Sequence, residues 1–150
     1  MRIEKIKIKN FYSFKDVTIN LGEYEGLTVI KGINKDAKGS NGSGKSALVE
    51  AVLFGLTGKT IRKSTEDSML HNKAKKNCCV ELHITKDNDY IIITRNKKPT
   101  KLELLVGDNN LTGANVFETQ NNIDELLNTC LLYTSPSPRD LSTSRMPSSA

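Results

Sequence analysis

Residues 39 to 46 read Gly39-Ser40-Asn41-Gly42-Ser43-Gly44-Lys45-Ser46: a glycine, four residues, then Gly-Lys-Ser. These residue types at this spacing suit the grip on a polyphosphate. A glycine-rich stretch lets successive backbone N–H groups turn inward around phosphate oxygens. Gly42 and Gly44 permit backbone angles and a close approach that a side chain would block. Lys45 is then the group that reaches the β- and γ-phosphates, and the Ser46 hydroxyl is a ligand for Mg²⁺. Ala47 follows in the first turn of a helix whose positive end faces the same anion. The candidate site is therefore Gly39 through Ala47, with a nucleoside triphosphate and Mg²⁺ as its ligands.

Such a loop needs a strand before it and a helix behind it. Leu27-Thr28-Val29-Ile30-Lys31 has the apolar, β-branched character of a short strand. The run from Gly44 to about Leu56 predicts a helix, apolar on most faces through Leu48, Val52 and Phe54, and hence buried. Gly58 is its expected C-cap. Upstream, Arg2 to Lys9 sets Ile3, Ile6 and Ile8 against charged residues, the pattern of a half-buried strand. A turn with three aromatics, Asn10 to Phe14, leads to a second strand over Asp16 to Leu21.

Downstream of the helix, residues 59 to 76 are basic, and Lys59, Arg62 and Lys63 are candidate contacts to DNA or nucleotide. A solvated polar connection is the competing reading. Asn77 to Thr85 and Tyr90 to Arg95 form a hairpin by their spacing, with Val80, Leu82 and Ile84 on one face and Glu81, His83 and Thr85 on the other. His83 is accordingly expected to be exposed, and His71 to lie on the surface. Lys101 to Val106 is a further strand, and Gln120 to Asn128 begins a helix. Leu102 to Asp108 has the outline of an acidic metal-binding strand, but Glu103 interrupts its apolar run and Gly107 precedes its single acid, so it is not assigned that role.

The bulk properties allow one domain in 150 residues with a net charge of +5. No run of 18 apolar residues is present, so no transmembrane helix is expected. The opening residues do not have the make-up of a signal peptide. The adjacent Cys78 and Cys79 fit neither a disulfide framework nor zinc spacing, and read as small strand residues of a reduced protein.

Composition changes at Cys130. Residues 130–150 hold three of the four prolines, Pro136, Pro138 and Pro147, and carry no hydrophobic period. Cys130 to Asp140 resembles the translation of a widely used transposase sequencing adapter, and Ser144 to Ala150 that of the downstream primer segment. The expectation is two parts: residues 1–129 as authentic coding sequence, and 130–150 as non-native, disordered read-through. Without the tail the net charge falls from +5 to +4.

Four segments together carry a family likeness. They are Lys7-Ile8-Lys9-Asn10-Phe11-Tyr12-Ser13-Phe14, Val29 to Asn34, Ser40 to Val52, and Phe54-Gly55-Leu56-Thr57-Gly58. Over residues 1 to 129 the chain resembles the amino end of the SbcC family, DNA-repair ATPases related to the structural-maintenance-of-chromosomes proteins. The resemblance implies an α/β fold, the N-terminal half of an ABC-type P-loop ATPase head, with a mixed sheet, a buried loop helix and an antiparallel hairpin. It implies ATP and Mg²⁺ as cofactors. It also implies a second head as homodimer partner, an SbcD-like nuclease subunit, double-stranded DNA, and a cytoplasmic location in a bacterial or phage-infected cell. The longer approach from Gly32 to Gly39 is similar to phage-type recombination endonuclease subunits. Tyr12 stands where relatives often carry a basic residue. The glutamine loop, signature motif, acidic base and coiled coil of such ATPases are not found in these 150 residues, so the chain alone is expected not to turn ATP over. The alternative is an ATPase of the chromosome-organising or recombination-mediator type (SMC, RecF or RecN), without a nuclease partner. A small phosphotransferase with the same loop is disfavoured by the early strand pair.

Overall fold

The computed structural model describes residues 1–33, 44–61, 69–70 and 76–128. The His71 expectation and the whole 130–150 tail lie outside the described residues. The described chain forms six strands and two helices: β1 (Arg2–Phe11), β2 (Phe14–Asn20), α1 (Lys45–Thr57), β3 (Cys78–Lys86), β4 (Asp89–Lys97), β5 (Lys101–Val106), β6 (Asn109–Asn110) and α2 (Val116–Leu127). The strands make one sheet in the order β2-β1-β3-β4-β5-β6, and every ladder among the described residues is antiparallel.

Cross-strand register explains which side chains are buried. Ile6, Leu82, Ile93 and Leu104 stand opposite one another along one row, and Ile8, Val80, Arg95 and Leu102 along the next. Partners in register point to the same face, so these rows make a single apolar surface. α1 packs on it across β1, β3 and β4, and α2 packs beside it on β5. Phe11, Leu48, Ala51, Phe54, Ile123 and Leu127 join this core. The opposite face carries Lys7, Glu81, Thr94 and Glu103 in register. The sheet thus has the half-buried alternation typical of antiparallel sheets.

Four expectations are corrected. Leu27 to Lys31 is not a strand: Leu27 is 94% exposed and Val29 70%, and no ladder among the described residues takes them. The residues have strand character, but a strand exists only as one side of a hydrogen-bonded pair. α1 is not buried all round either, because Val49 is 60% exposed on the side away from the sheet. His83 is buried, at 7% exposure, although it lies on the polar face. Its Nε2 lies 2.5 Å from Glu81 Oε1 and its Nδ1 2.9 Å from the Tyr90 hydroxyl, so neighbouring side chains cover it and satisfy both ring nitrogens. α2 also begins at Val116, four residues ahead of the expected Gln120.

Candidate functional site

α1 begins at the last glycine of the phosphate-binding pattern. Gly44 is the N-cap, with φ 88° and ψ 3°, and its carbonyl accepts the first helical hydrogen bond from the Leu48 N–H at 3.0 Å. That left-handed conformation costs a residue with a Cβ about 1 kcal/mol or more. Crowding is a second reason for glycine: a Cβ there would lie 3.1 Å from Phe14 Cζ and 3.3 Å from Ser13 Oγ. The β1–β2 turn is therefore one wall of the loop's exit. Sequence reasoning marked that turn as aromatic but did not place it against Gly44. Phe11 anchors the turn in the core, 5.5 Å from the Phe54 ring of α1, and the Tyr12 N–H donates to Met69 O at 2.8 Å.

The helix N-terminus has the character an anion site requires. Gly44 offers no side-chain cap, and the first turn holds no acidic residue. The leading N–H groups of any α-helix have no intrahelical acceptor, and the helix dipole adds about half a positive charge there. Lys45 and Ser46 are exposed in this turn, and Ala47 is buried against the sheet side. Residues Gly44, Lys45, Ser46 and Ala47 of the candidate site are thus brought together at one helix end. Gly39, Ser40, Asn41, Gly42 and Ser43 lie outside the described residues.

The far end of α1 is closed by its own C-cap and by side chains from two other elements. The Gly58 N–H donates to Phe54 O at 2.8 Å, with Gly58 at φ 72° as expected of a C-cap. Arg95 Nε donates to Gly55 O at 3.2 Å, and Gln120 Nε2 to Leu56 O at 3.0 Å. Glu50, buried in α1, accepts from the Ile61 N–H at 2.9 Å and ties the following segment to the helix.

Of the proposed DNA or nucleotide contacts, Lys59 is exposed just beyond α1, whereas Arg62 and Lys63 lie outside the described residues. The sheet places a different set of cations together. Lys9, Lys76, Lys97, Lys98 and Lys101 all lie at the end of the sheet where β1 and β4 finish and β3 and β5 begin. Asp16 shares that end, opposite Lys9, while the other end carries Glu23, Asp87, Asp89 and Asp108 together with Arg2 and Lys86, so the first end is the more basic of the two. The signal for this polarity was the hairpin register, not any run of lysines. Asp108 sits exposed on the β5–β6 turn at the acidic end. Among the described residues no group of three or more His, Cys, Asp or Glu could hold a metal ion.

On the open face, Lys7 Nζ meets Glu81 Oε1 at 2.7 Å. The hydrogen bond and charge of Glu81 raise the Lys7 pKa above its usual value. Burial pushes the Glu81 carboxyl up, but its hydrogen bonds to Lys7 and His83 outweigh that and hold it below the usual range. Burial, with Cys79 beside it, pushes the Cys78 thiol up to about 12, so it is an inert packing residue.

A strand pair leading to a turn against a glycine-capped, anion-ready helix defines an α/β nucleotide-binding domain of the P-loop class. Residues 5–135 match the family model described as an AAA domain, and the chain belongs to that family, among its SbcC- and SMC-like ATPases. It is 30% identical over 112 residues to "Exonuclease subunit 2" of Enterobacteria phage T4, covering 73% of this chain and 19% of that protein. It is 33% identical over 132 residues to "DNA double-strand break repair Rad50 ATPase" of Sulfolobus acidocaldarius, covering 85% of this chain and 14% of that one. The chain therefore spans less than a fifth of the length of these relatives. Its fold is similar to that of the recombination mediator protein RecF, with a TM-score of 0.57, 22% identity, and coverage of 74% of this chain and 28% of that one. The fold is that of an incomplete ABC-type ATPase head. No helix among the described residues is long and apolar enough to cross a membrane.

Proposed function

We propose that this chain is the ATP-binding N-terminal part of the ATPase subunit of a DNA double-strand-break repair or recombination nuclease. The observation that carries the reading is the end of α1: a left-handed glycine, no acidic cap, and Lys45 and Ser46 side by side in the first turn. Gly39 to Ala47 hold the triphosphate, with Ser46 on Mg²⁺. The likeness to a phage exonuclease subunit favours a nuclease partner of the SbcD type over the chromosome-organising or recombination-mediator alternative. ATP turnover belongs to a complete head engaged with a second copy. The exposed apolar run at Leu27, Val29, Ile30 and Ile33 supports this, because it has the residue types of a strand but no strand partner among the described residues. Residues 130–150 remain in this reading a non-native tail. Duplex DNA is met by the basic end of the sheet.

The test is a titration of the chain with a fluorescent ATP analogue and Mg²⁺. Saturable binding that Lys45→Ala weakens by at least about tenfold, the loss of one charge-assisted hydrogen bond to phosphate, supports the reading. Binding unchanged by Lys45→Ala overturns it. Steady hydrolysis by the chain that Lys45→Ala abolishes would overturn the expectation that turnover needs the rest of the head.

A further inference from the structure

Arg95 is a buried guanidinium on the core face of β4, 6% exposed, and lies outside the loop that defines the nucleotide site. It spans two helices. Its Nε donates to Gly55 O in the last turn of α1, and its Nη2 donates to Gln120 Oε1 on α2. Its Cζ lies over the Phe54 ring, 5.9 Å from the ring centroid. Gln120 closes the circuit, its Nε2 donating both to Leu56 O of α1 and to Asp124 Oδ1 one turn along α2. A single side-chain pair thus answers two of the terminal carbonyls of α1, which the helix cannot satisfy itself.

At this junction α1 lies tight against the sheet. A Cβ on Gly55 would lie 2.6 Å from Leu82 Cδ1 and 2.8 Å from Leu82 Cγ, so helix backbone and strand side chain are in direct contact there. Lys45 is ten residues away on the same helix, an arm of about 15 Å. Over that arm, a tilt of roughly 4° about Gly55 moves the Lys45 end by about 1 Å. Whatever fixes the angle of α1 at Gly55 therefore fixes where Lys45 and Ser46 meet phosphate. Arg95 is well suited to that task, because its rigid fork fixes direction as well as distance.

We propose that Arg95 and Gln120 are positioning residues that latch α1 to α2, so that occupancy of the phosphate site and the placement of α2 are one linked equilibrium. The latch rests on the nucleotide-binding reading above and adds a route out of the site. α2 is a firmly built receiver. Asn115 Oδ1 caps it by accepting from the Glu118 N–H at 2.9 Å, and Glu118 Oε2 accepts from the Ala114 N–H at 2.8 Å. Thr119, Ile123 and Leu127 anchor its inner side. Linkage is reciprocal: if nucleotide restrains α2, then freeing α2 must weaken nucleotide.

The experiment uses the full 150-residue chain, with Arg95→Met and, on the more tolerant helix surface, Gln120→Leu. Amide hydrogen exchange is followed with and without Mg²⁺ and the ATP analogue, alongside the dissociation constant and the melting temperature. The latch predicts that nucleotide slows exchange in residues 118–124 of the wild type, and that either variant abolishes this slowing. It also predicts that each variant weakens the nucleotide about tenfold, and that the double variant is no weaker than the singles, as for groups acting as one unit. A lowered melting temperature, with an unchanged dissociation constant and the α2 response intact, would mean that the pair only stabilises the fold, and would overturn the latch. Should Arg95→Met fail to fold, Gln120→Leu decides on the same readouts. A wild type with no nucleotide response at all would sink the nucleotide-binding reading and the latch with it. A wild-type response that survives both substitutions sinks the latch alone.

Discussion

Gly55 gives the sharpest test of how α1 sits on the sheet, because two effects of known size oppose each other there. Judged as a helix residue, Gly55→Ala should stabilise the chain by about 1 kcal/mol. Judged by packing, it should not. The added methyl would lie 2.6 Å from Leu82 Cδ1, 2.8 Å from its Cγ and 3.2 Å from Val80 Cγ1. Leu82 is fully buried among Val80, Ile84 and Ile93, so its branch has nowhere to swing. Overpacking of that kind costs about 1–3 kcal/mol. Lifting α1 away instead would stretch the 3.2 Å bond from Arg95 to Gly55 O. The expected net result is a destabilisation of about 1 kcal/mol, read from urea unfolding as a lower midpoint at unchanged slope. Leu82→Ala alone should cost about 2–5 kcal/mol through its cavity. The double variant places the new methyl in that vacated space, so its destabilisation should fall short of the sum by about 1–2 kcal/mol. Stabilisation by Gly55→Ala, or strict additivity with Leu82→Ala, would refute the packing geometry and with it the pivot at Gly55.

Asn115→Ala should remove the acceptor for the Glu118 N–H and cost about 1 kcal/mol, with faster amide exchange confined to the first turn of α2; an unchanged exchange pattern would show that the cap is not used. The Lys7–Glu81 pair gives stability a pH window. Glu81, held low in the fold, contributes stability above its unfolded pKa near 4.5 and loses it as pH falls through the folded value. Lys7, raised in the fold, contributes below 10.5 and loses that as pH rises through its folded value. Lys7→Met should therefore flatten the melting temperature against pH at both ends; both groups are partly exposed, so the effect at neutral pH should stay under about 1 kcal/mol and shrink in salt. Replacing Lys76, Lys97, Lys98 and Lys101 with glutamine should reduce the salt dependence of DNA binding by about one unit of log–log slope for each phosphate no longer neutralised, and leave Mg²⁺–ATP binding intact. An unchanged slope would move the DNA-binding surface elsewhere on the chain.

How legible all this was depended on whether the cause was local. The alternation of Ile3, Ile6 and Ile8, the 80–82–84 stripe and the Gly58 cap follow from residue type and short spacing, and each appears in the fold where the pattern put it. The start of α2 is the exception: its signal is local, an Asn115 cap with Glu118 three residues on, and it is overlooked because Val116 to Thr119 have weak helix propensity. Their helix is set by the Asn115 cap and the reply from Glu118. His83 misleads because alternation predicts which face a side chain takes, not how tall its neighbours are. Tyr90 and Glu81 close over it from the same face. Arg95 continues the alternation of Ile91 and Ile93, which puts it on their face, and register adds the row it shares with Ile8, Val80 and Leu102 in the core. The basic end of the sheet is hidden in the sequence, its lysines scattered from Lys9 to Lys101 until the hairpins align them.

The run from Leu27 to Ile33 separates propensity from structure most clearly. Its residue types are those of a buried strand, yet Leu27 is almost fully exposed, and so is Ile33 at 83%. β-propensity measures how well a residue fits a pleated, half-buried surface, and that surface has to be supplied by another strand. Within the described residues β2 is the edge nearest in sequence, and it pairs only with β1. A large exposed apolar run is costly to leave in water, and an unpaired edge invites association. The same segment leads straight to Gly39, so whatever pairs with it also sets the approach to the phosphate loop. On the proposed reading, a partner for this run should therefore tighten nucleotide binding, and an added partner segment that left the dissociation constant unchanged would separate the two.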